Sequence, residues 1–194
     1  MTDRINETNN KTGSAFSTLE LVYIAVFAAL MAVCSWVSIP APAPLAPFTL
    51  QTFAVFATLL LLGGRRGFFS ILVFILLGAV GAPVFAGFSG GFGVLLGTTG
   101  GYIIGFLFSA VVYILFEHFL GTKAWVKLAA LVCGLLVCYA FGTVWFMVVY
   151  TRTTAAVGLG SALMWCVVPY LIPDAAKLVL AWTIALAVGK RVRL

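Results

Sequence analysis

The segment YLIPDAAKLVLAWTIALAVG, from Tyr170 to Gly189, carries two charged side chains, Asp174 and Lys177, in an otherwise uncharged apolar run. A run of about 20 apolar residues has the length of a membrane-spanning helix. An ionisable side chain inside such a helix is costly and marks a functional site by default. Residues three apart share one helix face, so this pair can neutralise itself while offering a polar ligand both an acceptor and a donor.

The composition of the whole chain places it in a lipid bilayer. Of its 194 residues, 63% are hydrophobic and 8% are charged, whereas soluble domains carry about 25% charged residues. The net charge of +6 is scattered between apolar segments, which argues against nucleic acid as a partner. The four cysteines form no CxxC pair and are expected to be buried and reduced. His118 is the single histidine, so we expect no metal site, no cofactor and no Ser-His-Asp triad.

Charges, prolines and glycines divide the chain into apolar segments that predict an all-α membrane protein with six transmembrane helices. The second and third segments are short for a bilayer and are expected to be tilted, extended at their ends or partly sheltered by their neighbours. A single transmembrane domain, residues 19–190, is expected between tails of residues 1–18 and 191–194, and the first tail has no signal-peptide pattern. The predicted segments are residues 21–39, 50–62, 68–77, 102–119, 126–150 and 170–189.

The basic residues predict the orientation of these helices, because cytoplasmic loops are enriched in Lys and Arg. With six helices, every loop rich in basic residues falls on one side, and both termini are therefore predicted to be cytoplasmic. The loops on the opposite side contain a single charged residue, Arg152. Asp174 would then lie within ~8 Å of the outer end of its helix. The basic residues on the cytoplasmic side would be Arg4, Lys11, Arg65, Arg66, Lys123, Lys127, Lys190, Arg191 and Arg193.

A glycine-rich stretch from Gly87 to Gly101 separates the third and fourth segments. Irregular backbone is tolerated at membrane depth where it is buried in protein or lines a cavity, and glycines let a backbone approach a ligand closely. Gly97, Gly101 and Gly105 also have the GxxxG spacing of packed helices, so ligand contact and packing both remain open. The stretch lacks the GxxxxGK[ST] pattern of a nucleotide loop, and no motif for ATP hydrolysis is present.

Four blocks of sequence together resemble the BioY family, the biotin-specific substrate-binding (S) components of energy-coupling-factor (ECF) transporters. Their order and spacing make the resemblance specific, and it extends from about Ala25 to Ala187. The blocks are IPAPAPLAPFTLQ at 39–51, GAVGAPVFAG at 78–87, GG at 90–91 with GTTGGY at 97–102, and PDAAK at 173–177.

The resemblance implies the S-component fold, with a biotin pocket near the outer face of the cytoplasmic (inner) membrane. Asp174, Lys177 and Ser89 would meet the ureido group of biotin, and Ser89 stands where some members have asparagine. Some members carry arginine where this chain has Ile103, so Lys177, Arg152 and backbone N–H groups all stay open as partners of the biotin carboxylate. The expected biotin-binding residues are Ser89, Asp174, Lys177, Gln51, Thr49, Gly90, Gly91, Arg152, Tyr150 and Trp145.

Three of these expectations have a purely structural alternative. Asp174 and Lys177 can be an internal ion pair that locks their helix against its neighbours. Arg152 can be an interfacial anchor beside Tyr150 in an aromatic belt. Trp145 can be a packing residue within its helix.

The resemblance also implies partners: a transmembrane coupling (T) subunit and two ATP-binding subunits that hydrolyse ATP, while this chain is not an enzyme. Ala25, Ala28, Ala29 and Ala32 have small-xxx-small spacing, which suits either docking of a membrane subunit or internal packing.

Three alternatives to partnered biotin uptake remain at this stage. One is a standalone biotin carrier, and a second is an intramembrane enzyme using Asp174 or Glu117 as acid–base. The third is a membrane assembly protein without a ligand.

Overall fold

The computed structural model describes residues 16–42 and 45–189. Most of the predicted N-terminal tail and the whole C-terminal tail, with their basic residues, lie outside this part of the chain. The described elements are α1 (Thr18–Trp36), β1 (Ser38–Ile39), β2 (Phe48–Thr49), α2 (Gln51–Ala79), a 3-10 turn (Ala86–Phe88), α3 (Phe92–Leu96), α4 (Gly100–Leu120), α5 (Ala124–Thr153), α6 (Leu159–Cys166) and α7 (Val168–Gly189).

Within the described part of the chain, five helical stretches are long and apolar enough to cross a membrane. They are α1, α2, α4, α5 and the stretch Leu159–Val188, which joins α6 to α7. Their lengths follow from the apolar runs of the sequence, although α5, at 30 residues, is about 45 Å long and exceeds a hydrocarbon core of about 30 Å. The all-α membrane architecture is therefore confirmed, with β1 and β2 as a short antiparallel addition that pairs Ser38 with Thr49.

Helix α2 contains both short segments that the sequence predicts. It is broken at Gly63, whose φ of 78° and ψ of 175° are not helical. A Cβ placed on Gly67 would lie 2.8 Å from the Leu59 side chain, whereas residues eight apart in a straight helix are about 12 Å apart. The two arms, residues 51–62 and 64–79, therefore fold back on each other and, counted separately, make six apolar segments. Arg65 and Arg66 lie at the start of the second arm and not in a loop.

Polar contacts join three helices at the broken end of α2. The Ser17 hydroxyl accepts from the Glu20 N–H at 3.3 Å and caps α1, while the Glu20 carboxylate accepts from the Arg66 Nε at 2.8 Å. The Gly64 N–H donates to the Glu117 carboxylate of α4 at 2.7 Å. Glu117 thus satisfies a free backbone donor at the start of the second arm.

Helices α4 and α5 form the most extensive helix pair. Glycines bring their backbones close: a Cβ on Gly105 would lie 2.8 Å from Cys138 Sγ, and one on Gly101 would lie 2.3 Å from Trp145 Cβ. Ser109 donates across the interface to the Gly134 carbonyl at 2.7 Å. The packing interpretation of Gly101 and Gly105 is therefore supported by geometry.

Candidate ligand-binding site

A cavity of about 180 Å³ lies at the end of the bundle opposite the Glu20–Arg66 ion pair. It is far larger than the ~10–15 Å³ that a single water needs. Its wall comes from the segment that leads into α2, from the loop before α3, and from α4, α5, α6 and α7. Irregular backbone therefore lines a cavity here, which is one of the two settings in which such backbone is tolerated at membrane depth.

Asp174 is the centre of the polar wall. It is 3% exposed, and its Oδ1 accepts from Lys177 Nζ at 2.7 Å on the next turn of α7. Its Oδ2 accepts from the Tyr139 hydroxyl, which reaches across from α5. Each carboxylate oxygen keeps a further lone pair, and the ammonium keeps two hydrogens, so the array can still accept from and donate to a ligand.

The remaining wall is mostly apolar and aromatic. Phe85, Phe106 and Ile103 are buried side chains of the cavity lining. Tyr170 stacks on Phe48, with ring centroids 4.5 Å apart, and its hydroxyl donates to the Ala46 carbonyl. These contacts close the segment before α2 over the cavity. An apolar enclosure with a few convergent polar groups is the usual form of a small-molecule site.

Five of the ten residues expected from the sequence line this cavity: Thr49, Gln51, Ser89, Asp174 and Lys177. They come from three chain segments that are distant in sequence and converge there. Ser89 is half-buried, and its hydroxyl donates to the Ala86 carbonyl at 2.7 Å. Since that hydrogen is used, the Ser89 hydroxyl can offer a ligand an acceptor.

The other five expected residues lie outside the cavity lining. Trp145 donates from its indole N–H to the Gly97 carbonyl at 3.0 Å, and Tyr150 stacks on Phe146. Arg152 is exposed. These positions support the packing interpretation of Trp145 and the anchor interpretation of Arg152.

Gly90 and Gly91 shape the loop that carries Ser89. A Cβ on Gly90 would lie 2.2 Å from the Ala82 carbonyl oxygen, and the Gly91 N–H donates to the Gly78 carbonyl.

The alanine set of α1 divides between two faces. Ala28 and Ala32 are 2% and 6% exposed and belong to the core, whereas Ala25 and Ala29 are exposed. Internal packing therefore accounts for Ala28 and Ala32, which neighbouring helices already cover, so the four alanines do not form one docking face. Ala25 and Ala29 remain available to a partner.

Several lining residues were not anticipated from the sequence, above all Tyr139, Tyr102 and Tyr170. Tyr102 bonds to Thr143 at 3.0 Å and so links α4 to α5. A tyrosine inside an apolar helix needs a partner for its hydroxyl. That requirement was the signal in the sequence that could have pointed to these tyrosines as site residues.

Cys138 and Cys166 also line the cavity as free thiols. Within residues 16–42 and 45–189, no cluster of His, Cys, Asp and Glu could hold a metal ion.

The helical bundle and its cavity define an integral membrane protein with an internal cavity of the form that small-molecule sites usually have. Comparisons with known proteins specify the family. The BioY family model matches residues 7–194, and the chain belongs to the BioY family. Membership identifies it as a membrane transport protein and not an enzyme. The sequence also allowed an intramembrane enzyme that uses Asp174 or Glu117 as acid–base. Glu117 lies at the end of the bundle away from Asp174.

Two relatives match over most of their length. The biotin transporter BioY of Thermotoga maritima is 41% identical over 173 residues, which cover 88% of this chain and 96% of the relative. The probable biotin transporter BioY of Pyrococcus horikoshii is 40% identical over 167 residues, covering 86% and 93%.

A solved structure shares the fold. The crystal structure of the S component for biotin from an ECF-type ABC transporter matches with a TM-score of 0.78 and 23% identity. The match covers 92% of this chain and 96% of that one. The predicted S-component fold is therefore confirmed.

Proposed function

We propose that this chain binds biotin in the cavity and mediates its uptake across the cytoplasmic (inner) membrane. The observation that carries the proposal is the buried array of Asp174, Lys177 and Tyr139 on one wall of an otherwise apolar enclosure. The names of the relatives, which are biotin transporters, agree with this ligand.

The array matches the ureido ring of biotin, which has two N–H donors and one carbonyl acceptor. Asp174 accepts from one N–H, and the half-buried hydroxyl of Ser89 accepts from the other. The free hydrogens of Lys177 Nζ donate to the carbonyl. The Phe85 and Phe106 side chains face the apolar remainder of the ligand. A site built on such hydrogen bonds rejects analogues that lack the N–H groups, since its own polar groups would then stay unpaired.

The cavity end of the bundle faces outward in this proposal. The described basic residues Arg65, Arg66 and Lys123 lie toward the other end, which suits the cytoplasmic side. The chain acts as the S component of an ECF-type transporter, and the T subunit and two ATP-binding subunits supply the energy. Ala25 and Ala29 form the small, exposed part of α1 on which the T subunit packs.

Equilibrium binding of labelled biotin to the purified protein in detergent tests the ligand and the array. Asp174→Asn and Lys177→Met are each expected to weaken binding at least tenfold, or about 1.4 kcal/mol, because each removes a charge-assisted hydrogen bond. Lys123→Met is the matched control, since Lys123 is exposed at the start of α5 and lies outside the cavity lining. Absence of binding by folded wild-type protein would reject biotin as the ligand. Binding unaffected by both cavity variants would reject the array.

A second measurement tests the partners. Biotin uptake is measured in cells that make this chain with or without T and ATP-binding subunits. Uptake that requires those subunits and ATP supports the S-component role. Equal uptake in their absence identifies the chain as a standalone carrier.

A further inference from the structure

The first turn of α2 presents unused backbone donors beside the cavity. Leu50 precedes the helix as its N-cap residue, and its own side chain makes no capping hydrogen bond. The Gln51 N–H is met by Thr49 Oγ1 at 3.3 Å, and the first helical hydrogen bond runs from Ala54 N to the Leu50 carbonyl at 3.2 Å. The N–H groups of Thr52 and Phe53 therefore have no hydrogen-bond acceptor within the helix. Such groups carry the partial positive charge of a helix N-terminus.

Gln51 provides a second, independent unused donor at the same place. It is 6% exposed and lines the cavity, and its amide nitrogen has no hydrogen-bond partner among the described residues. A half-turn of the terminal amide exchanges its oxygen and nitrogen, so the donor can meet a group on the cavity side. A buried donor without a partner is costly, and after that turn a ligand acceptor on the cavity side can pair with the donor. Thr49 and Thr52 line the same wall.

The described lining of the cavity offers no free cation for a negatively charged ligand group. Among the described residues of its lining, Asp174 and Lys177 alone are charged, and they pair at 2.7 Å. Ile103, which is 6% exposed, contributes an aliphatic surface to the wall. A carboxylate lying away from the Asp174–Lys177 pair therefore has to be bound by neutral donors.

We propose that the N-terminus of α2 binds the carboxylate of the ligand, with the Gln51 amide nitrogen and the Thr52 N–H as donors. This inference rests on the proposed function, because biotin carries its ureido ring at one end and its carboxylate at the other. Helix N-termini bind anions by this combination of N–H groups and dipole. The two polar ends of the ligand are thus held by different helices, the ring by α7 and the carboxylate by α2.

Competition between biotin and biotinamide, its uncharged carboxamide, isolates the carboxylate contact. Dissociation constants of both ligands are measured for wild type, Gln51→Glu and Lys177→Met. Wild type is expected to prefer biotin at least tenfold. Gln51→Glu is expected to lower that preference at least tenfold, because a carboxylate side chain cannot donate and repels the ligand anion. Lys177→Met is expected to weaken the binding of both ligands and to keep the preference for biotin over biotinamide. A badly folded sample weakens both ligands alike and leaves the ratio unchanged.

Three results would overturn the inference while the proposed function stands. These are a wild-type preference below tenfold, a preference in Gln51→Glu that falls by less than tenfold, and a preference lost in Lys177→Met, which would assign the carboxylate to Lys177. If Gln51→Glu does not fold, the wild-type and Lys177→Met ratios still decide. Binding of neither ligand by folded wild type would instead reject the proposed function.

Discussion

Replacing Tyr139 with Phe removes one hydroxyl from the Asp174 array and leaves the packed ring in place. The hydroxyl of Tyr139 donates to Asp174 Oδ2 from another helix, and the residue is buried at 8% exposure. The substitution therefore tests whether α5 holds the carboxylate of α7 in its binding orientation.

The magnitude follows from the charge and burial of the partners. Hydrogen bonds to charged groups contribute about 1.5–3 kcal/mol. Only 5% of the Asp174 side chain is exposed, but the adjoining cavity can admit water to the freed oxygen and offset part of the loss. We expect Tyr139→Phe to lower the free energy of unfolding by about 1.5–2 kcal/mol. Biotin affinity should fall roughly three- to tenfold, or ~0.7–1.4 kcal/mol, because the carboxylate is less well oriented.

Tyr113→Phe is the matched control. Tyr113 is fully buried in α4, and its hydroxyl has no hydrogen-bond partner within the described chain. Removing an unpaired buried hydroxyl is nearly neutral or stabilising. Both variants are compared with wild type by thermal unfolding in detergent and by biotin titration. Identical behaviour of Tyr139→Phe and Tyr113→Phe in both assays would refute a role of the Tyr139 hydroxyl in holding Asp174.

Two further substitutions test the fold and the docking face. Gly63→Ala is expected to destabilise the protein by about 1–3 kcal/mol, because the conformation of Gly63 is almost restricted to glycine. Gly160→Ala, in open space on α6, should not destabilise it, and equal thermal unfolding of the two would argue against a strained break. Ala29→Leu, on the exposed face of α1, is expected to keep biotin binding and to reduce partner-dependent uptake at least tenfold. Ala28→Leu, at a position 2% exposed, should instead lower the melting temperature by overpacking the core. Full uptake by Ala29→Leu would reject the docking face.

Much of the fold and part of the site could be predicted from the sequence, for identifiable reasons. Long apolar runs leave a chain little choice but membrane helices, since only internally hydrogen-bonded segments are stable in lipid. Asp174 and Lys177 stand out because charge is rare there and because a spacing of three places both on one face. Gly63 breaks α2 where the sequence has a glycine pair followed by two arginines.

The rotation of each helix about its axis could not be predicted in the same way. A soluble helix shows its buried face as an apolar stripe, but the helices of this chain are apolar all round. The sequence therefore could not separate Ala28, which is in the core, from Ala29, which is exposed. Nor could it show that Trp145 turns its indole N–H toward Gly97 and away from the cavity.

The sequence by itself determined a bilayer-spanning helical chain with one charged pair in its last helix. The tertiary structure alone decided what surrounds that pair. Tyr139 reaches Asp174 from 35 residues away in sequence, and Gln51 is brought from α2 to the same cavity. The physical reason is that spacing along the sequence decides only which neighbouring residues share one helix face. Contacts between helices depend on how the helices pack. In an evenly apolar chain, that packing is set by close-fitting small residues and buried polar partners.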